Sequence, residues 1–213
     1  MTHTYKTVFI NFLRRPQRVF YTICEYELYK YKYHLLVLAG INAALTRNWW
    51  QLADTNNNFF FRLLGAIAIG ALLAWIPFLF VSWLLYVSGK WINGRSHSAE
   101  ITNLVAYAVF FPAMLSILTT LISITILRVN GFESVKYVHN LDMPLHSTFY
   151  LTIKIHQIII IGLNLYYVLL VLKGLTVIQN FNWLKSILNV IMAIGLVAVP
   201  LLLIAIIPLL FKH

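Results

Sequence analysis

Apolar and polar positions along this chain fall into long blocks rather than short alternating patterns. Four apolar runs, Phe59–Val87, Val105–Leu127, Leu151–Leu172 and Ile187–Phe211, are each near or above the roughly 20 residues that a helical bilayer crossing requires. A shorter run, Leu35–Leu45, is ambiguous. At about 1.5 Å per residue its strictly apolar part reaches only about half the hydrocarbon thickness. Extended from Tyr33 to Trp50 it is long enough, with aromatic residues at both ends where interfacial belts belong. Ahead of these runs, Val8, Phe9, Phe12 and Leu13 share one helical face and Val19, Phe20 and Ile23 another. Pro16 separates the two and suits the first turn of the second helix. Two readings of this amphipathic segment stand side by side: helices lying in the headgroup layer, or helices packed on the protein's own cytosolic face. A signal peptide is not expected, because no apolar stretch of the right length follows the basic residues.

Composition sharpens the class. Of 213 residues 61% are hydrophobic and 10% charged, against about a quarter charged in a soluble domain. A core of this size cannot hide that surplus, so the outside must be oily as well. A single cysteine, Cys24, excludes a disulfide scaffold. The net charge of +10 reads as basic residues at span ends beside anionic lipid. A nucleic-acid partner is not expected, since no loop is long enough to fold as a binding module. With five spans and an internal N-terminus, the cytosolic side holds Lys6, Arg14, Arg15, Arg18, Lys30, Lys32, Lys90, Arg95, Lys173 and Lys185. The outer side then holds Arg47, Arg62, Arg128, Lys136 and Lys212. Four spans give a split no worse. Charge bias therefore puts the N-terminus inside without counting the helices.

Within the spans, Pro77, Pro112, Pro200 and Pro208 are expected to kink helices. Ala66, Gly70 and Ala74 recur every fourth residue, a stripe that lets another helix approach closely. Polar residues concentrate in Leu151–Leu172 as Lys154, His156, Gln157 and Asn164. Lys154 can snorkel to an interface, while Asn164 near mid-span calls for a partner across helices. No span carries an acidic residue, which weighs against a proton-coupled pump. His139, Asp142 and His146 could form an open metal site if they converge, although solvated loop residues are the commoner case, and no cofactor is expected. Neither Gly-x-Ser-x-Gly nor His-Glu-x-x-His occurs, so an enzyme is not expected. Cys24 reads most simply as a buried thiol.

Five segments in order resemble bacterial Yip-family membrane proteins, the family that includes eukaryotic Ypt/Rab-interacting proteins. Arg15-Pro16 with Phe20 and Ile23 resembles "RP-x-x-x-F-x-x-I". Leu38-Ala39-Gly40-Ile41 with Ala44, Leu45 and Arg47 is similar to "LAGI-x-x-AL-x-R". Gly89-Lys90-Trp91, Gly94, Ser98 and Glu100 look like "GKW-x-GG…S-x-E". Pro112 falls where the family has a proline, and Phe181–Leu188, with Trp183 and Lys185, resembles the aromatic-Trp-Lys segment that opens the last helix. The resemblance implies a cytosolic N-terminal region and five membrane helices, which makes Leu35–Leu45 the core of a first span. Eukaryotic members of the family act in vesicle traffic by contacting small GTPases and other membrane proteins. The "DLYGP" signature of eukaryotic members is missing, so small-GTPase binding is not carried over.

The expectation is an all-α polytopic helical membrane protein. Residues 1–33 form a basic amphipathic N-terminal segment. Residues 34–213 form one domain of five transmembrane helices, at about 34–50, 59–87, 105–127, 151–172 and 187–211. Its expected role is a non-enzymatic scaffold or adaptor in a bacterial cytoplasmic membrane, C-terminus outside, whose partners are the lipid bilayer, other membrane proteins or itself. Candidate interaction residues are Arg15, Pro16, Gly89, Lys90, Gly94, Glu100, Lys154, His156, Asn164, Lys173, Trp183 and Lys185. Gly89 and Gly94 are expected to take positive φ, and Glu100 to cap the following helix or pair with Lys90 and Arg95. The alternative is a small transporter or lipid-moving protein that uses a polar groove through Lys154, His156, Gln157 and Asn164.

Overall fold

The computed structural model describes residues 11, 15–25, 31–55, 58–132 and 148–210, and the regular elements among them are all helical. In chain order they are α1 (Pro16–Glu25), α2 (Lys32–Ala53), α3 (Phe59–Leu72), α4 (Ile76–Trp91), α5 (Ser98–Val129), α6 (Thr148–Ile178) and α7 (Trp183–Leu210). Four stretches have the length and apolarity of membrane crossings: Phe59–Trp91, Ser98–Val129, Thr148–Ile178 and Trp183–Leu203. By that criterion the chain is an integral membrane protein. α2 has 22 residues but carries Lys32, His34, Arg47, Asn48 and Gln51, and this polar content keeps it out of the group of four. The first amphipathic face expected from sequence, Val8 to Leu13, lies outside the described residues, as do His139, Asp142 and His146.

The helices overrun the apolar runs because local capping, not hydropathy, sets their ends. α5 begins at Ser98, where the Glu100 carboxylate accepts the His97 N–H at 2.7 Å. That is one arm of a capping box, with Glu100 three residues into the turn. α7 begins after Asn182, whose Oδ1 accepts the Lys185 N–H at 2.8 Å. α3 and α4 are divided by a turn at Leu73–Trp75, and Pro77 supplies the reason. Proline has no N–H for the Leu73 carbonyl, which accepts the Ile76 N–H at 3.1 Å instead. The Leu73 and Ala74 N–H groups both converge on Ile69 O, at 2.9 and 3.3 Å. Pro112, by contrast, is buried within an unbroken α5.

The chain forms two compact units, one of Met1–Lys30, Pro77–Val105 and Leu169–His213, the other of Tyr31–Ile76 and Ala106–Val168. In the first, α1 buries Val19, Phe20 and Ile23, so the apolar face of this helix packs on protein. A Cβ at Gly174 would come within 2.8 Å of Leu104 Cδ1 and 3.3 Å of Phe20 Cε2. Bare glycine thus lets α1 and α5 close onto this part of α6.

In the second unit α2 and α3 form an antiparallel hairpin. Leu45, Trp49, Leu52 and Ala53 of α2 join Ala66 of α3, Ile124 and Leu127 of α5, Phe132, and Ile153 of α6 in one core. At the crossing Gly40 meets Gly70. A Cβ on Gly70 would lie 2.6 Å from Ile41 Cα, and one on Gly40 would run into Gly70 O. The small-residue stripe therefore acts by removing side chains from a backbone-to-backbone contact. Arg128 ties off the C-terminal end of α2. Its Nη1 donates to Leu52 O at 3.1 Å and Asp54 O at 2.8 Å, and its guanidinium lies 5.1 Å from the Phe59 ring centroid.

Candidate functional site

The sequence-selected residues divide cleanly between the units. Arg15, Pro16, Gly89, Lys90, Gly94, Glu100, Lys173, Trp183 and Lys185 belong to the first, and Lys154, His156 and Asn164 to the second.

In the first unit, α4 ends in a Schellman-type cap. The Gly94 N–H reaches Gly89 O at 2.8 Å and the Asn93 N–H reaches Lys90 O at 3.2 Å, with Asn93 in the left-handed region at φ 65°. This corrects the expectation for the glycines, since neither Gly89 nor Gly94 has positive φ. They are needed instead for space, because a Cβ at either would strike the Gln179 amide. That amide is 1% exposed and donates from Nε2 to Leu85 O at 3.3 Å. The Ser88 hydroxyl donates to Asn189 Oδ1 nearby in the chain's first unit, linking α4 to α7. Asn103 on α5 is also buried, and neither of its amide atoms has a hydrogen-bond partner among the described residues. Glu100 is occupied by the α5 cap, not by Lys90 or Arg95. Lys90 Nζ donates to Gly94 O at 3.3 Å and lies 5.5 Å from the Tyr86 ring centroid. Trp183 and Lys185 are exposed at the start of α7. Arg15, Pro16 and Lys173, together with Gln17 and Arg18, line a cavity of about 260 Å³.

In the second unit the four polar residues of α6 separate. His156 is 3% exposed, its Nε2 3.2 Å from Thr120 Oγ1 and its ring stacked on Trp49 at 4.1 Å between centroids. Lys154, Gln157 and Asn164 are exposed. They do not share a groove with His156, and the partner expected for Asn164 is not found among the described residues. Gln157 and Asn164 are seven residues apart, two helical turns, so they present on one side of α6 with Lys154 a turn earlier. Lys154 Nζ lies 5.4 Å from the Tyr150 ring centroid, near the beginning of the helix. Their surroundings are the apolar surface of Ile158, Ile161 and Leu165, each at least 60% exposed.

No protein-family model, curated protein or solved structure matches this chain. The functional reading therefore rests on the residues themselves. Among the described residues no group of three or more His, Cys, Asp or Glu side chains is placed to hold a metal. Sequence reasoning missed Ser88, Asn103, Gln179 and Asn189. The available signal was a lone amide or hydroxyl within or beside an apolar run, but only the tertiary fold shows that four such groups are buried in one unit.

Proposed function

We propose that this chain is a non-enzymatic membrane scaffold of Yip type, with five membrane helices and a cytosolic N-terminus. It sits in a bacterial cytoplasmic membrane and associates laterally with other transmembrane helices, a second copy of itself first among them. The observation that carries the reading is the exposed stripe of Lys154, Gln157 and Asn164 on α6. Hydrocarbon offers an amide no hydrogen bond, so a carboxamide on the lipid-facing surface is stabilised by a neighbouring helix. An amide both donates and accepts, and two copies can pair reciprocally across a two-fold axis.

Parity supports the fifth helix. Arg15, Arg18 and Lys173 line one cavity and so lie on one side of the bilayer. Between them the chain passes through Phe59–Trp91, Ser98–Val129 and most of Thr148–Ile178, three crossings, which would leave them on opposite sides. A crossing by α2 restores agreement, and its 22 residues span about 33 Å against a hydrocarbon core of about 30 Å. Two positions give the family likeness physical sense. The pattern "GKW-x-GG" has glycine where this chain places Asn93 at φ 65°, and the glycine of "LAGI" is Gly40 at the tight α2–α3 crossing.

Cysteine crosslinking tests the scaffold reading. In a Cys24→Ser background, Asn164→Cys reconstituted in liposomes is expected to form a disulfide-linked dimer, whereas Gly195→Cys on α7 is not. A monomer at every protein-to-lipid ratio, with no co-purifying membrane protein, would overturn it. The same stripe supports a second reading, a lipid-moving protein, which predicts faster headgroup exchange between leaflets of those liposomes and loss of that activity in Gln157→Leu/Asn164→Leu.

A further inference from the structure

We infer that the cavity lined by Arg15, Arg18 and Lys173 is a binding site for a phosphate-bearing anion. Two segments that are far apart in sequence bring three basic residues to the lining of one cavity of about 260 Å³. Like charges gathered around a common space repel one another, and an anion in that space is attracted to each of them and offsets that repulsion. Among the described residues no carboxylate lines the cavity. The capping role of Glu100 removes the described acidic side chain best placed in the sequence to serve this unit's basic residues. Burial of α1 through Val19, Phe20 and Ile23 fixes the helix that carries Arg18 and directly follows Arg15, and both arginine side chains are exposed at its start.

The chemistry favours phosphate over carboxylate. Two guanidinium groups offer planar paired donors that match phosphate oxygens, and the lysine ammonium adds a compact point charge. The first turn of α1, Pro16 to Arg18, faces the same space, and the partial positive charge of a helix N-terminus has the same sign as the side chains. Lys173 is half-buried on an apolar membrane helix, near the end of that helix, at the level where lipid headgroups lie. A phospholipid headgroup and free inorganic phosphate share this chemistry.

The test uses the full-length chain in a neutral detergent, with two probes. Native mass spectrometry measures retention of phosphatidylglycerol against phosphatidylcholine, and calorimetry measures binding of sodium phosphate. The expected result is preferential retention of one phosphatidylglycerol, weakened roughly tenfold by Arg18→Gln or Lys173→Gln. Lys173→Arg should retain binding, and Arg95→Gln, a change at an exposed arginine of the same unit, should leave it unchanged. If phosphate itself binds with the same variant pattern and displaces the lipid, the site stands and free phosphate is its ligand. Equal retention of the two lipids together with no phosphate binding overturns the proposal. So does equal weakening by Arg95→Gln, or failure of Lys173→Arg to hold ligand at an unchanged melting temperature.

Discussion

Gly70→Ala isolates the contact on which the α2–α3 hairpin depends. The added Cβ would stand 2.6 Å from Ile41 Cα, 2.8 Å from Gly40 O and 2.9 Å from Ile41 N. Ordinary carbon contacts lie at about 3.5–4.0 Å, and all three obstacles are backbone atoms that no rotamer change can move. The two helices must therefore separate by on the order of 1 Å. A gap of that size forfeits about a quarter to a half of each contact's dispersion energy. Over a few tens of atom pairs at about 0.1–0.2 kcal/mol each, the loss is about 1–2 kcal/mol, the usual size for an overpacked site. Alanine's helix advantage over glycine, about 0.5–1 kcal/mol in water, shrinks in lipid because the separated helices remain helical. Gly65 lies on the same helix with nothing within 4 Å of its Cβ position. Gly65→Ala should thus be neutral or slightly stabilising, while Gly70→Ala destabilises by about 1 kcal/mol. Reversible unfolding in mixed micelles, followed by circular dichroism, reads the difference. Gly70→Ala as stable as Gly65→Ala would refute the reasoning. Gly40→Ala combined with Gly70→Ala should cost clearly less than the sum of the single changes, because both open the same crossing.

Other interactions give separate expectations in the same unfolding assay. Arg128→Met removes the donor to Leu52 O and Asp54 O and should destabilise by roughly 2 kcal/mol, with Arg128→Lys recovering only part of the loss. A double-mutant cycle of Ser88→Ala and Asn189→Ala should return a coupling of about 0.6 kcal/mol, the average for interhelical hydrogen bonds in membranes, and at most about 1.7 kcal/mol; zero coupling would mean the pair of side chains does not interact. Gly89→Ala should displace the Gln179 amide and weaken the α4 cap, and Gln179→Ala, by emptying the same space, should rescue it. A Gly89→Ala defect that persists in the Gln179→Ala background would show that the glycine serves another purpose.

Much of the helical framework is legible in the linear order of residues. Long apolar blocks can be satisfied only by helices with internally bonded backbones facing lipid, and Pro77, Glu100 and Asn182 act on neighbours within a turn. The candidate sites were less accessible because their meaning depends on which face each side chain occupies. Lys154, His156, Gln157 and Asn164 look like one polar cluster on paper, yet a helix turns about 100° per residue and sends His156 inward to Thr120 and Trp49 while the others face outward. Gly89 and Gly94 suggested backbone freedom, whereas their use is space for an amide some 90 residues away in the chain.

By itself, then, the order of residues determined that this protein is helical and belongs in a bilayer, because hydrophobic transfer and backbone hydrogen bonding are local and additive along a segment. Only the tertiary structure decided which polar groups are enclosed, which glycines let backbones touch, and that Arg15, Arg18 and Lys173 surround a common space. Those outcomes depend on contacts between segments distant in sequence, and such contacts are fixed by the packing of faces rather than by the composition of any one helix.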